Sequence, residues 1–395
     1  MIELLWLLVP VAVASGWWAA RYGTLSHLTN TSFKLSPDYF KGLNYLLNEE
    51  PDKAIDVFIK LLDVNSDTVE THLALGTFFR RRGEVNRAIR LHQNLIARPA
   101  LNSQQRNLAL LELGQDYRQA GLLDRAEDLF QELIVSKTHQ TSALHQLLDI
   151  YQQEQDWEQA IQTAKKLATV TSSKPMHTVI AQYYCEQAEY FYRQGQATMA
   201  FQAIKQALEI DPHCVRASLL QGQYALDNCQ REQAIIAFKR VEQQDPDYLA
   251  EVIKPLQICY QENGQQAVFT HYLHQVLERY GGITPMLVLA KMIKQQEGDK
   301  PAVDFISKYM NKHPSVPGLN YLLDLALSTA AENVTREHLL LLKDIITQLV
   351  KNKPAYKCTH CGFTARKLHW QCPSCQQWST LKPIQWVNGE FKSDD

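Results

Sequence analysis

The chain has 395 residues, 45% of them hydrophobic, with 40 Lys+Arg against 42 Asp+Glu for a net charge of -2. That length and apolar content supply cores for two or three structural units and exclude wholesale disorder, while the balanced charge excludes a global positive field for nucleic acid or an anionic surface. The 16 glycines and 15 prolines make up about 8% of the chain where roughly 12% is usual, which excludes a turn-rich β fold and points to an all-α protein.

Residues 4–20, LLWLLVPVAVASGWWAA, carry no charge. As a helix this stretch is about 26 Å long, enough to span a hydrocarbon core if its flanks snorkel. Trp6 at one end and Trp17 and Trp18 at the other have the amphipathic rings that settle at headgroup depth. A cleaved signal peptide is the alternative, since Ala12-Val13-Ala14 resembles a cleavage site. Glu3 in place of a basic leader, and an apolar run that continues to Ala20, favour an uncleaved single-pass anchor. Arg21 and Lys34 follow the span, which places the bulk of the chain on the cytoplasmic side of the membrane. An anchor over residues 1–21 and a linker over 22–34 are therefore expected.

From residue 35 a pattern returns every 34 residues: a small residue, an aromatic or large apolar residue three later, Ala nine after that, and a large apolar residue four further on. Gly42, Tyr45, Ala54 and Phe58 begin it. Gly76, Phe79 and Ala88 follow, with His92 in the large apolar place, and then Gly114, Tyr117, Ala126 and Phe130 after a four-residue insertion. Tyr151 and Ala160, then Ala188, Phe191, Ala200 and Ile204, then Gly222, Ala234 and Phe238, and finally Ala290, Ala302 and Ile306 carry the series on past a degenerate unit at residues 260–276. The period resembles the tetratricopeptide repeat, two antiparallel helices per unit, and implies a solenoid over residues 35–351. Small residues let paired helices approach, and Gly83, Gly121 and Gly195 fall where the first helix of a unit must end. Pro212, Pro246 and Pro314 fall where the second must end.

Such repeats hold protein partners rather than catalyse. Arg80 and Arg118 occupy equivalent places in successive units, where they are expected either to grip carboxylates of an acidic segment or to be solvated surface charges. Cys185, Cys214, Cys229 and Cys259 are scattered, without close thiol neighbours in sequence, and read as structural thiols. His271 and His274 share a helical face without a metal-ligand motif and read as core or surface histidines.

Residues 357–376, KCTHCGFTARKLHWQCPSCQ, are different in kind: Cys358, Cys361, Cys372 and Cys375 form C-x2-C-x10-C-x2-C. Two such knuckles facing each other give a closed tetrahedral four-sulfur site that suits one structural Zn2+ or a rubredoxin-type Fe equally. The module over residues 355–395 has the size at which an apolar core alone usually fails, so metal is expected to decide its folding. His360 and His369 flank a tetrahedron that four cysteines already complete. Trp370, Trp378 and Trp386 are expected to form a small core or a docking face for the repeats.

An anchor, a repeat solenoid and a rubredoxin-like zinc-ribbon tail in this order resemble the lipopolysaccharide assembly protein B family of Gram-negative inner-membrane proteins. The resemblance rests on the residues 1–23 MIELLWLLVPVAVASGWWAARYG, the 34-residue period and the CTHCGF and CPSCQ knuckles, with Gln376 where rubredoxin knuckles often carry glycine. It implies a non-enzymatic adaptor regulating lipopolysaccharide synthesis. Its implied partners are the membrane-anchored AAA+ protease FtsH, the lipid A pathway deacetylase whose degradation it promotes, and other lipopolysaccharide assembly or sensing membrane proteins. Nucleic acid is not among them, and a homodimer is compatible with the chain. The competing readings are an iron-containing redox or metal-sensing protein on a repeat scaffold, and a lipopolysaccharide transport platform with no role in proteolysis. No Walker A loop, dinucleotide-binding glycine fingerprint or G-x-S-x-G elbow supports an enzyme of those classes.

Overall fold

A computed structural model describes Trp17 and residues 37–48, 50, 53–54, 57, 69–99, 101–171, 175–329, 334–351 and 353–384. The expected anchor and linker lie outside these residues apart from Trp17, and among the described residues no helix is long and apolar enough to cross a membrane. The chain divides into two compact units, Met1–His139 and Gln140–Asp395. The repeat region thus contributes to both, and the cysteine-rich module shares the second.

In the first unit α1 (Pro37–Leu47) precedes two antiparallel pairs, α2 (Val69–Arg81) with α3 (Val85–Ile96) and α4 (Ser103–Gln119) with α5 (Leu123–Val135). The four-residue insertion lies between these pairs, and the chain re-enters helix at Asn102. Its side chain accepts from the Gln105 N–H while the Gln105 side chain accepts from the Asn102 N–H, so the start of α4 is capped from both directions.

The second unit continues with α6 (Gln140–Glu154), α7 (Trp157–Thr171), α8 (Pro175–Arg193), α9 (Ala197–Ile210), α10 (Val215–Asp227) and α11 (Arg231–Gln244). A single 3-10 turn, Pro246–Tyr248, leads into α12 (Leu249–Glu262) and α13 (Gln266–Arg279). Then come α14 (Ile283–Glu297), α15 (Asp299–Lys312), α16 (Val316–Thr329) and α17 (Val334–Lys351). The span expected to be degenerate, residues 260–276, forms a regular pair in which Tyr260 stacks on Phe269.

The small residues of the period explain the pairing. Ala54, Ala88, Ala126, Ala160, Ala200, Ala234 and Ala302 are all fully buried, the second-helix contact the pattern requires. A Cβ added at Gly114 would meet the Phe130 ring at 2.5 Å, and one at Gly222 the Phe238 ring at 2.5 Å. In these pairs the glycine of the first helix is therefore the seat of a ring from the second. Gly83, Gly121 and Gly195 turn the corner between paired helices with left-handed backbones, at φ 83, 75 and 75. Gln155 and Cys229 occupy equivalent corners at φ 59 without being glycine.

After α17 the chain forms a three-stranded antiparallel ribbon in the order β2-β1-β3. Strand β1 (Tyr356–Cys358) is central and pairs with β2 (Thr364–Ala365) through Lys357 and Thr364, and with β3 (Leu381–Pro383) through Cys358 and Leu381. Its own buried set is small: Cys358, Cys372 and Leu381.

Candidate metal centre

Each pair of cysteines sits in a tight turn of the ribbon. In the first, the Cys358 N–H donates to the Phe363 carbonyl at 2.7 Å and the Gly362 N–H to the Cys358 carbonyl at 3.0 Å. In the second, the Cys372 N–H donates to the Gln377 carbonyl at 2.9 Å and the Gln376 N–H to the Cys372 carbonyl at 2.8 Å. The residue after the second cysteine is left-handed in both, Gly362 at φ 77 and Gln376 at φ 57. The two knuckles therefore share a backbone path, and the glutamine holds a conformation that glycine adopts more cheaply.

The turns bring four sulfurs together from opposite sides. Cys358 Sγ lies 3.8 Å from Cys375 Sγ and Cys361 Sγ 3.7 Å from Cys372 Sγ, with all four ligand atoms within 4.8 Å of one another. Zinc–sulfur bonds of about 2.3 Å in a tetrahedron require sulfurs about 3.8 Å apart, so the set fits one metal ion with its coordination complete. Electrostatics agrees. Burial opposes the Cys358 thiolate, but hydrogen bonds from the Thr380 hydroxyl and the backbone N–H groups of Cys361 and His360 prevail and lower it to about 6. Cys375 accepts a lowering hydrogen bond from the Gln377 N–H, yet burial and the neighbouring thiols Cys372, Cys361 and Cys358 push it up to about 12. Four thiolates this close ionise together only around a cation. His360 and His369 are exposed and outside the cluster, as expected.

The ribbon is seated on the first helices of three successive pairs. Trp370 stacks on Tyr248 with ring centroids 5.7 Å apart, and the Arg216 guanidinium lies 5.9 Å from the same indole. Arg216 is itself buried and paired with Glu186 at 2.9 Å and Glu189 at 2.6 Å. Trp378 meets Tyr183 edge to face at 5.9 Å. The polar contacts are equally direct: Tyr248 donates to the Leu381 carbonyl at 2.7 Å, Tyr356 to Glu251 at 2.7 Å, and Gln182 to the Ser379 hydroxyl at 2.9 Å. Lys382 reaches Asp247 at 2.7 Å and Asp245 at 3.0 Å. Of the three tryptophans, Trp370 and Trp378 form the expected docking face, and Trp386 lies outside the described residues.

The structure gives Arg80 a place that neither expectation for it described. Arg80 is buried, and its fork is filled from within the chain: Nη1 donates to Asp116 at 2.8 Å, and Nη2 to Glu112 at 2.7 Å and Gln115 at 2.9 Å. It fastens α2 to α4 instead of projecting toward a partner's carboxylate. Arg118 lies in the last turn of α4 and is half-buried. His92 explains its own place in the period. Fully buried, it contacts Asp116 through Nδ1, and a Cβ at Gly76 would lie 2.3 Å from its ring, so the imidazole fills the seat that a phenyl ring takes elsewhere and adds a polar contact to the next pair. His271 and His274 are exposed, and Cys185, Cys214 and Cys259 are buried, as expected. Sequence reasoning missed the cradle residues Gln182, Arg216, Tyr248 and Glu251. The available signal was the acidic pair Asp245 and Asp247 around the boundary proline, opposite a ribbon that has no Asp or Glu between residues 352 and 384.

Comparison with known proteins agrees with this architecture. The rubredoxin metal binding domain family matches residues 356–383, and tetratricopeptide repeat families match residues 71–105 and 185–248. The solved tetratricopeptide repeat protein from Parabacteroides merdae covers 71% of this chain and 100% of its own at 14% identity and a TM-score of 0.33, a likeness too low to bear on function. Lipopolysaccharide assembly protein B of Escherichia coli K12 is 38% identical over 389 residues, 98% of this chain and 100% of its own. The protein of that name from Haemophilus influenzae is 36% identical over 394 residues, 97% of this chain and 98% of its own. With tandem helix pairs, a four-cysteine ribbon and relatives matched along nearly their whole length, the chain belongs to the lipopolysaccharide assembly protein B family.

Proposed function

We propose that this chain is a non-catalytic adaptor of lipopolysaccharide assembly, attached to the bacterial inner membrane by residues 1–21 with its bulk in the cytoplasm. It promotes FtsH-dependent proteolysis of the deacetylase that commits precursor to lipid A. The observation that carries the reading is the seating of the metal ribbon on α8, α10 and the start of α12. The metal thiolates complete one coordination shell and the ribbon's indoles face the helices, an arrangement that builds a binding body and leaves no open metal position for chemistry. The relatives named lipopolysaccharide assembly protein B supply the pathway, and tandem helix pairs supply the means of holding proteins.

Since the ribbon occupies the first helices at Gln182, Arg216 and Glu251, we place partner contacts on helices it leaves uncovered. Tethering to the membrane raises the effective concentration of adaptor at a membrane protease without any new contact. Removal of residues 1–20 should therefore raise deacetylase levels in cells, read by immunoblot against the full chain, while the purified truncated protein keeps its metal. Unchanged deacetylase with the truncated form released from membranes would overturn the proposal. Cross-linking in native membranes tests the partners directly: the protease and the deacetylase are expected among the captured proteins, together with lipopolysaccharide-sensing membrane proteins.

A further inference from the structure

Cys185, within α8, and Cys214, immediately before α10, are 29 positions apart in sequence, yet their sulfurs lie 3.8 Å apart. Both are interior, 0% and 3% exposed, and neither belongs to the ribbon's metal set. Two sulfurs in van der Waals contact are roughly 1.8 Å from the bonded separation of about 2.05 Å, a distance that small adjustments of side chains and helix ends can close.

The surroundings of the pair are polar and linked to the ribbon. Gln182 donates from Nε2 to the Cys214 sulfur at 3.5 Å and to the Ser379 hydroxyl of the ribbon at 2.9 Å, and its Oε1 accepts from Arg216 at 3.4 Å. The two thiols differ in character. Burial pushes the Cys185 thiol well up, which keeps it protonated. A hydrogen bond from Cys185 lowers Cys214 below its ordinary value against the effect of burial, and the Ala217 N–H in the first turn of α10 adds to the lowering. Cys214 is thus the better nucleophile of the two, with Cys185 at hand to resolve what it forms.

We propose that Cys185 and Cys214 are an oxidisable thiol pair, a modification site beneath the ribbon whose reagent is a small hydroperoxide. The Cys214 sulfur attacks one peroxide oxygen as its thiol gives up its proton; the O–O bond breaks, and the leaving oxygen takes that proton to depart as water or alcohol, leaving a sulfenic acid. The Cys185 sulfur then attacks the Cys214 sulfur. The S–O bond breaks as the S–S bond forms, and hydroxide leaves with the Cys185 proton as water. The pair has lost two electrons and the hydroperoxide has gained them. Because the Cys214 sulfur is an acceptor for the same amide that holds Ser379, oxidation alters a group that the ribbon rests on.

The test uses the full, metal-loaded chain exposed to hydrogen peroxide, then unfolded, alkylated, digested and analysed by mass spectrometry. The expected product joins the peptide carrying Cys185 to the peptide carrying Cys214, is lighter than the two reduced peptides by two hydrogens, and is split by dithiothreitol. Full alkylation of both residues while the exposed Cys229 is oxidised, or capture of Cys214 by any other cysteine, would overturn the site. A Cys185→Ser chain treated in the same way should accumulate sulfenic acid at position 214, trapped by dimedone. Trapping at Cys185 in a Cys214→Ser chain, with none at Cys214 in the Cys185→Ser chain, would overturn the roles assigned to the two sulfurs.

Discussion

The helix pairs and the ribbon meet the cost of ordering a chain in opposite ways. In a pair such as α10 and α11, glycine and alanine bring two backbones together and a phenyl ring fills the seat between them, so stability comes from apolar burial repeated along the chain. Among the described residues the ribbon buries three of its own and leans on what lies outside its strands: a metal at its centre and a cradle of helices at its face. A body that cannot bury enough of itself is ordered by ligation and by docking, and its dependence on each can be measured separately.

The sharpest way to break the comparison is to remove the metal. Chelation, or Cys372→Ser, should abolish order in residues 353–384 while leaving helical circular dichroism nearly unchanged, since structural zinc sites contribute about 10–16 kcal/mol to modules of this size. Helices that melt along with the ribbon would show that the two bodies are not separate in their energetics.

Next in size is Arg80→Ala in the first unit. It leaves the fully buried Asp116 without its guanidinium, and thermal unfolding should show a loss of about 3–5 kcal/mol. A loss below 1 kcal/mol would mean that the link between α2 and α4 is dispensable. Trp370→Ala removes the indole stacked on Tyr248, and the ribbon should dock about 3 kcal/mol more weakly, seen as faster extraction of its metal by a chelator with the isolated metal site intact. The smallest effects are gains. Cys229→Gly and Gln376→Gly, one in a helix corner and one in a knuckle, relieve left-handed backbones and should each stabilise by about 0.5–1 kcal/mol in denaturant titrations of the body that holds them.

Much of the molecule was legible from local signals. The spacing of Ala88, Ala126, Ala200 and Ala234 marked the second helices, glycines marked the corners, and the two C-x2-C motifs marked the metal set, because each of these features acts over a few residues or one helical turn. What escaped is carried by contacts between distant segments. Nothing near Arg80 in the sequence shows that Glu112 and Asp116 fill its fork, and Cys185 meets Cys214 only once α8 and α10 are packed. The corners at Gln155 and Cys229 escaped for another reason: neighbouring helices impose a left-handed backbone that the residue itself does not advertise.

The contact between Gln182 and Ser379 spans 197 residues. On a ribosome adding about 5–20 residues per second, Gln182 emerges roughly 10–40 s before Ser379. Until the ribbon arrives Tyr248 lacks Trp370 and Tyr183 has only Trp157 against it, and a nascent chain cut short after α17 keeps that aromatic face open. The ribbon thus shields an aromatic surface made earlier in synthesis, and a chain without it is the more adhesive product.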